Sequence, residues 1–362
     1  MSTRVTLLTT VDFWTPGSGH RARIDSLVRG LAGEVALTVL LPTPAPPAAA
    51  AHLAATAPQA RLASLRPPPD GPRDLALARL NGFFAAHAQD ACIIEFMQLS
   101  WMLPAVPPGV MRLIDTHAVA SQHDAMLAQR GLLPGPVISA AQERGLLAAY
   151  DSVIAICAPD AAVYAGWLGA DKVVLAPHAQ PLHSSPHRPE AERLLLVAGD
   201  YPPNREGLTW FLGEVWPHLR DWDDRLTLDV VGSVGPGLGL ASDQGEGLLV
   251  HGQVPDLTAA YARADLCINP VRCGGGLKIK TVEALAHGRP LITTAHGARS
   301  LEAHAGRAFA VADTPAAWVD VVVQLADDLP ARERLAQTAR ALAADQFSAA
   351  ACYGPLIAAL RR

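Results

Sequence analysis

Residues 274–294 of this 362-residue chain read GGGLKIKTVEALAHGRPLITT. The three leading glycines free the backbone for unusual dihedral angles and for close approach to another group. Val282, Leu285 and Ala286 follow at the i, i+3, i+4 spacing of a helix, and PLITT predicts a strand. A glycine turn followed by a helix and a short strand is typical of a parallel sheet covered by helices.

Two of the three lysines in the chain, Lys278 and Lys280, lie in this stretch, although Lys and Arg together number 29. A lysine is a compact, mobile cation. These two come at the start of the predicted helix, where the helix dipole disfavours a cation by about 0.3–1 kcal/mol. A bound anion would reverse that cost, with backbone N–H groups of the glycine turn helping to hold it. We interpret the motif as a phosphate site; the alternative is a solvated basic turn.

Composition limits the size, partners and compartment of the protein. A chain of 362 residues is longer than one hydrophobic core usually supports, so we expect two domains. The net charge of −5 argues against binding to nucleic acid or anionic lipid. The five cysteines are widely separated without metal-ligand spacing, which suits a reducing cytosol. With neither a signal peptide nor a membrane-spanning apolar run, the sequence predicts a soluble cytoplasmic protein.

Short β-rich runs alternate with helical stretches along the first half of the chain. The predicted strands are 5–10, 35–41, 60–65, 91–96, 111–116, 152–156 and 173–176. The predicted helices between them include 20–32, 74–88, 138–150 and 159–168. We expect a loop and a short helix over 42–58, a stiff Pro-rich connector at 66–72 and a linker at 181–193.

The pattern then restarts. Strands are predicted at 194–199, 226–232, 248–252, 266–270, 290–294 and 308–311, and helices at 207–219, 256–263, 280–287, from 315, and over 330–345 and 349–360. The fold class is therefore α/β, with two doubly wound, Rossmann-like domains facing a central cleft. Such sheets bind ligands at the carboxyl ends of their strands.

Four blocks carry a family resemblance: LLVAGDYPPNREGLTWFLGEVWPHL (195–219), LTLDVVG (226–232), GQVPDL to LCINP (252–270) and the motif at 274–294. They resemble the carboxyl-terminal half of glycosyltransferase family 4, a group of retaining enzymes with the GT-B fold. Weaker similarity extends over 17–40, 113–119 and 150–157. The resemblance implies an acceptor-binding domain over 1–180, completed by a final helix at about 346–362 that crosses back to it. It assigns the nucleotide-sugar-binding domain to 190–345.

The resemblance also implies roles for individual residues of the second domain. Glu283 matches a glutamate that accepts hydrogen bonds from the ribose of a nucleoside-diphosphate sugar. Gln253 and Val254 match the loop that meets the nucleobase through backbone groups. The expected diphosphate contacts are Arg272, Lys278 and Lys280, with backbone amides of Gly275 and Gly276. Gly274 and Leu277 belong to the same expected binding site.

In the first domain, His117 matches a histidine near the transferred sugar, and Gly17, Ser18 and Gly19 match a loop that approaches the phosphates. The sequence does not decide whether His20, next to that loop, has a functional role. The expected catalytic residues are His117, Lys278 and Arg272. His117 would contact the transferred sugar, and the lysines and arginine would stabilise charge on the leaving diphosphate. No side chain stands out as a nucleophile, and in the family the leaving phosphate itself takes the acceptor proton. We predict no metal and no cofactor other than the sugar donor.

Two positions depart from the family pattern. Gly275 stands where the first glutamate of the family's E-x7-E motif is expected, so a carboxylate contact with the sugar is lost or replaced. Asp200 stands where an arginine is expected, which leaves Arg205 as the substitute cation. Related members with a glycine at the first position share the G-x-K-x-K arrangement, which favours membership of a subgroup of the family over an inactive relic.

Two other functions remain open at this stage. One is a nucleotide-sugar epimerase on the same fold, which needs acid and base groups in the cleft. The other is a non-catalytic relic that binds sugar nucleotides. The acceptor, whether a glycan, a lipid-linked molecule or a small molecule, is not determined by the sequence, and contact with a membrane surface stays open. A nicotinamide site at 232–237 is disfavoured, because the glycine spacing is wrong and Pro236 disturbs the helix start.

Overall fold

The computed structural model describes residues 2–65, 73–133, 135–184, 186, 188, 191–243, 245 and 247–362. Its first sheet contains seven parallel strands in the order β3-β2-β1-β4-β5-β6-β7. These strands are β1 (Arg4–Leu8), β2 (Ala36–Leu41), β3 (Arg61–Ser64), β4 (Ala91–Glu95), β5 (Met111–Asp115), β6 (Ser152–Ala155) and β7 (Val173–Leu175).

Helices cover both faces of this sheet, which explains why its central strands are near-continuous runs of Val, Leu and Ile. The α-helices are α1 (Gly19–Leu31), α2 (Pro47–Thr56), α3 (Arg73–Ala86), α4 (Ala120–Gln129), α5 (Ala140–Leu147) and α6 (Ala158–Leu168). Shorter 3₁₀ helices occur at Met97–Ala105 and Ala170–Lys172.

The second sheet has six parallel strands in the order β10-β9-β8-β11-β12-β13. They are β8 (Arg193–Val197), β9 (Thr227–Val231), β10 (Leu248–Gly252), β11 (Leu266–Asn269), β12 (Leu291–Thr293) and β13 (Ala310–Val311). The remaining helices are α7 (Pro202–Glu214), α8 (Trp216–Trp222), α9 (Val234–Gly237), α10 (Thr258–Arg263), α11 (Ile279–Ala286), α12 (Pro315–Asp327), α13 (Leu329–Gln346) and α14 (Ala349–Leu360), with a 3₁₀ turn at Glu302–His304.

The strand order of each sheet reverses beside its first strand, between β1 and β4 and between β8 and β11. A crevice forms at such a reversal, outside the carboxyl ends of the strands. The loop 9–18 leaves β1 there, and the loops 198–201 and 270–278 leave β8 and β11. The prediction of two doubly wound domains is confirmed, and the topology puts the predicted glycine loops at the crevices.

Helix α14 crosses back to the first domain, as predicted. The Tyr353 hydroxyl donates to Ser26 Oγ at 2.7 Å, and Ser26 donates to the Ala179 carbonyl at 2.7 Å. The ring of Tyr353 fills the space over Gly30, where an added Cβ would lie 2.2 Å from it. Nothing larger than glycine fits there without displacing the ring.

One predicted helix, 207–219, is wrong in its boundaries. It begins earlier, at Pro202, and is interrupted at Val215, after which α8 starts with Pro217 in its first turn. A proline lacks the N–H that continues a helix and its ring collides with the carbonyl four residues earlier. The break in the helix could therefore have been predicted from Pro217.

Helix α4 and the 3₁₀ helix at Met97–Ala105 were not predicted. The α4 sequence, ASQHDAMLAQ, places few apolar residues at helical spacing. The connector predicted at 66–72 lies outside the described residues, and the linker at 181–193 lies only partly within them. Among the helices described, none is both long and apolar enough to cross a bilayer.

Candidate functional site

The two crevices face each other, and glycines bring their backbones into contact. A Cβ placed on Gly199, after β8, would lie 2.6 Å from the Gly17 carbonyl oxygen. Gly17 has φ +115, and a Cβ there would meet the Gln253 side chain at 2.3 Å. The first-domain glycine loop and the predicted nucleobase loop, which lie far apart in sequence, are therefore neighbours across the cleft.

A second contact joins the lysine motif to the first domain. Gly276 has φ +67, and a Cβ on it would lie 2.3 Å from the carbonyl oxygen of His117. Glycine adopts this left-handed conformation without the steric cost that other residues incur. The structure thus brings the 274–276 loop and His117 together.

Lys278 turns back onto its own loop. Its Nζ donates to the carbonyl oxygens of Gly274 at 2.8 Å, Gly275 at 3.0 Å and Gly276 at 3.4 Å. The side chain is buried, and burial together with repulsion from Arg299 lowers its pKa to about 8. Lys278 therefore holds the shape of the glycine loop, and its direct contact with a bound anion stays a prediction.

Lys280 joins the motif to the loop after β8. Its Nζ donates to the side-chain oxygen of Asn204, whose Nδ2 donates to the Gly199 carbonyl at 2.9 Å. Burial and the neighbouring Lys278 lower the pKa of Lys280 to about 7, although Glu283 opposes the shift. An ammonium held this close to deprotonation gains from a nearby anion.

Glu283 lies one turn along α11 from Lys280 and accepts a hydrogen bond from the Tyr261 hydroxyl at 3.2 Å. Burial raises the pKa of Glu283, while the Tyr261 bond and Lys280 lower it. Tyr261 stacks in turn on His287, with ring centroids 4.3 Å apart. The carboxylate is thus held at a fixed position beside the lysines.

The two predicted arginines already have carboxylate partners. Arg272 pairs with Glu206 and lies over the Trp210 ring, 4.8 Å from its centroid. Arg205 pairs with Asp200. The substitution of Asp200 for an expected arginine thus comes with a local ion pair. A guanidinium has five N–H groups, so pairing with one carboxylate does not prevent contact with a bound anion.

His117 extends a charge cluster at the carboxyl ends of β4 and β5. Its Nε2 lies 2.8 Å from Glu95 Oε2 and 3.7 Å from Asp115, and its ring stacks on Phe96 at 4.0 Å. Both carboxylates are fully buried. Burial and the neighbouring Asp115 raise the pKa of Glu95 to about 7, against the opposing effect of His117 and Arg23.

The ligand atoms of Glu95, Asp115 and His117 all lie within 4.8 Å of one another, a spacing that could hold a metal ion. Buried Arg23 donates from Nε to Asp115 at 3.0 Å, however. Its guanidinium already supplies the positive charge that a metal would bring. The cluster therefore fits an orienting role for His117 better than a metal centre.

His20 and Ser18 lie at the mouth of the cleft. Ser18 Oγ is 3.3 Å from His20 Nε2, and the His20 ring meets the Phe96 ring edge-on at 6.0 Å. Burial and the neighbouring His117 lower the pKa of His20. In the other domain, Val254 is partly buried against the core, and Leu277 is buried at the end of the glycine loop.

Sequence reasoning missed five polar residues of this region: Glu95, His123, Tyr201, Asn204 and Tyr261. An acidic residue that ends a buried strand, as Glu95 does, was a readable signal. The other four follow no local pattern, because their partners lie in distant segments of the chain.

The second domain matches the family described as "Glycosyl transferases group 1" over residues 192–328. Sucrose-phosphate synthase from Thermosynechococcus elongatus has a similar structure, with a TM-score of 0.73, 15% identity, and coverage of 99% of this chain and 97% of that one. Anabaena Alr3699/HepE, solved in complex with UDP and glucose, has a TM-score of 0.72, 13% identity and 99% coverage of both chains.

TarM, known from S. aureus, has a TM-score of 0.65 and 12% identity; the match covers 79% of this chain and spans 58% of that protein's length. No curated protein matches the sequence. Identities this low establish the fold alone. The fold is GT-B, the two-domain fold of these glycosyltransferases, and the second domain matches the group 1 glycosyltransferases.

Proposed function

We propose that the protein is a retaining glycosyltransferase of family 4, which moves a sugar from a nucleoside-diphosphate sugar to an acceptor hydroxyl. The observation that carries this proposal is the grouping of Lys278, Lys280 and Glu283 at the first turns of α11, where Ile279 lies beside Gly19 of the first-domain glycine loop. Two cations and one carboxylate at that spacing suit a diphosphate followed by a ribose. The group lies within the segment that matches group 1 glycosyltransferases.

Charge stabilisation of the leaving diphosphate is the main catalytic effect in this proposal. Lys280, backed by the Lys278-held glycine loop, neutralises negative charge as the bond to the sugar breaks. Groups that are already fixed before reaction do this without reorganisation, and removing one such donor typically costs about 100- to 1,000-fold in rate. Arg272, in the loop that leaves β11, contributes a further positive charge.

His117 orients the transferred sugar. Glu95 holds its Nε2 and Phe96 stacks on its ring, so the orientation of the imidazole is fixed. The leaving phosphate takes the acceptor proton, and the anomeric configuration is retained. The protein uses no metal in this proposal, because the lysines stabilise the diphosphate.

The first domain binds the acceptor, and closure of the cleft excludes water. The acceptor is a glycan, a lipid-linked molecule or a small molecule, and a lipid-linked one would require contact with a membrane surface. UDP is the first nucleotide to test, because HepE was solved with UDP, with UDP and glucose, and with UDP-glucose.

A thermal-shift panel of UDP, GDP, ADP, dTDP and their hexose derivatives tests the proposal. We expect one nucleotide series to raise the melting temperature by several degrees, because a ligand at 100 times its Kd stabilises by about 2.7 kcal/mol. Transfer should then persist in EDTA, and NMR of the product should show the anomeric configuration of the donor. An inverted product would refute retention, and loss of activity in EDTA would refute the metal-free mechanism.

The same assays separate the other functions. An epimerase interconverts the donor with no acceptor present, and a non-catalytic relic binds the donor without hydrolysis or transfer. The carboxylates Glu95 and Asp115 are already bound to His117 and Arg23, which suits an orienting role for His117.

Binding of the nucleotide is expected to take up protons at pH 8. In the free protein the pKa values of Lys280 and Lys278 are lowered to about 7 and about 8, so both lysines are partly neutral there. A diphosphate raises both pKa values, and its affinity should weaken by up to about tenfold per pH unit for each lysine above these values. The contribution of these two lysines to the stability of the free protein shows the opposite trend. Above their lowered pKa values the unfolded state holds more protons at these two positions, so this contribution rises with pH.

Isothermal titration calorimetry in two buffers of different ionisation enthalpy, at pH 6 and pH 8, measures this uptake. Lys280→Arg should remove the contribution of Lys280, since arginine stays charged. Equal heats in the two buffers at pH 8 would contradict the proposed contact between lysines and diphosphate.

A further inference from the structure

Gly275 leaves space that a side chain of the other domain fills. A Cβ on Gly275 would lie 3.0 Å from Ala118 Cβ, 3.1 Å from His123 Cβ and 3.2 Å from His123 Nδ1. The Gly275 N–H also donates to His123 Nδ1 at 2.7 Å. The imidazole of His123, from α4, therefore occupies the direction in which a glutamate at position 275 would project.

The hydrogen bond to Gly275 fixes the tautomer of His123. Its Nδ1 accepts a proton donor and so carries no hydrogen, which puts the ring proton of the neutral imidazole on Nε2. Burial lowers the pKa of His123, and Lys278 adds to the shift while Asp124 opposes it. The ring is therefore neutral at neutral pH.

Nε2 of His123 lies within hydrogen-bond distance of the Tyr201 hydroxyl. Since Nε2 carries the proton, it donates to the phenol oxygen, and the hydroxyl proton of Tyr201 remains available to another acceptor. The two rings are nearly parallel, 8° apart, with centroids separated by 6.1 Å. Tyr201 is 39% exposed, and its hydrogen bond with His123 is not buried. Partial burial of the side chain raises its pKa and keeps the hydroxyl a neutral donor.

We propose that Tyr201, positioned by His123, replaces the missing glutamate as a recognition group for the transferred sugar. The chain of donors runs from the Gly275 amide to His123, from His123 to Tyr201, and from Tyr201 to a sugar hydroxyl oxygen. It crosses the cleft twice, so it is complete only when the domains are closed. This inference rests on the proposed function, because it needs a nucleotide sugar between the domains.

The chain reverses the direction of the expected hydrogen bond. A glutamate carboxylate can only accept from a sugar hydroxyl, whereas the Tyr201 hydroxyl proton can only be donated. Tyr201 contacts the sugar and not the nucleotide. Removing its hydroxyl should therefore weaken binding of the nucleotide sugar without changing binding of the nucleoside diphosphate. His123 is a positioning residue that acts through Tyr201 and Gly275.

Calorimetry with Tyr201→Phe tests the proposal. The titrants are UDP and UDP-glucose, GDP and GDP-mannose, ADP and ADP-glucose, and dTDP and dTDP-glucose, and the pair that binds the wild-type protein is compared. We expect the affinity for the nucleotide sugar to fall roughly tenfold, with the affinity for the nucleoside diphosphate unchanged. Unchanged affinity for both, or an equal loss for both, overturns the sugar contact.

Two substitutions at His123 test its positioning role. Glutamine can accept from the Gly275 amide and donate to Tyr201, whereas leucine of similar size can do neither. His123→Gln should therefore keep most of the sugar-dependent affinity, and His123→Leu should lose it as Tyr201→Phe does. Equal behaviour of the two variants, with melting temperatures confirming that both fold, overturns the donor chain.

The outcomes distinguish this inference from the proposed function. If no pair binds the wild-type protein, the proposed function fails and this inference fails with it. Suppose instead that a pair binds and that sugar is transferred, while Tyr201→Phe shows the same difference in affinity between nucleotide sugar and nucleoside diphosphate as the wild type. In that case only the role of Tyr201 and His123 is overturned.

Discussion

Gly199→Ala is expected to lower kcat/KM at least 100-fold. Its Cβ would lie 2.6 Å from the carbonyl oxygen of Gly17, a backbone atom that cannot rotate away, so the two domains would be held apart at this point. A displacement of about 1 Å at a reacting centre can cost about 100-fold in rate. The nucleotide, which the second domain holds through Lys280 and Glu283, should bind nearly as well as before.

Steady-state kinetics and calorimetry with the nucleoside diphosphate check this split. Gly213→Ala is the matched control: Gly213 lies inside α7 of the same domain, with no atom within 4 Å of an added Cβ. Alanine there should stabilise the protein by about 0.5–1 kcal/mol without affecting activity. If Gly199→Ala has the kcat/KM of the wild type, the close approach of Gly199 to the Gly17 carbonyl is not needed for the reaction.

Lys278→Met is expected to weaken nucleotide-sugar binding by about 10- to 100-fold. The change keeps most of the unbranched side chain but leaves the carbonyls of Gly274, Gly275 and Gly276 without their donor. Hydrogen bonds to a charged group contribute about 1.5–3 kcal/mol. The loop that presents amides to the diphosphate would lose its shape as well as a positive charge.

The third lysine supplies a control of the same chemistry. Lys172 Nζ also donates to a backbone carbonyl, that of Tyr150 at 3.2 Å, but it lies beside β7 at the edge of the first sheet. Lys172→Met should leave the Kd unchanged. If calorimetry gives the same Kd for Lys278→Met and the wild type, the loop does not need its lysine and the site assignment is wrong.

The sequence predicted every strand of both sheets within a few residues, because buried parallel strands are short apolar runs bounded by turns. It also placed Lys278, Lys280 and Glu283 together, since they share one helix start. The direction in which Lys278 points was not predictable, because its three acceptors are backbone carbonyls whose orientation depends on the conformation of the glycine loop.

Local sequence patterns could not predict the contacts between the domains. Gly275 and His123 are 152 positions apart, and Tyr201 and His123 are 78 apart. Helical and strand periodicity report which face of an element is buried, and not which side chain of another domain it meets. The resemblance identified Gly275 as a departure from the family pattern, and only the structure shows which side chain fills the space.

The helix that crosses back has a consequence for how the chain folds as it is synthesised. Tyr353 completes a closed ring of hydrogen bonds with Ser26 and Ala179, whose N–H donates to the Tyr353 oxygen at 3.2 Å. At about 5–20 residues per second, the ribosome makes α14 roughly ten to forty seconds after β7. The domain that leaves the ribosome first is therefore the last to be finished, and until then the surface over Gly30 stays uncovered and available to chaperones.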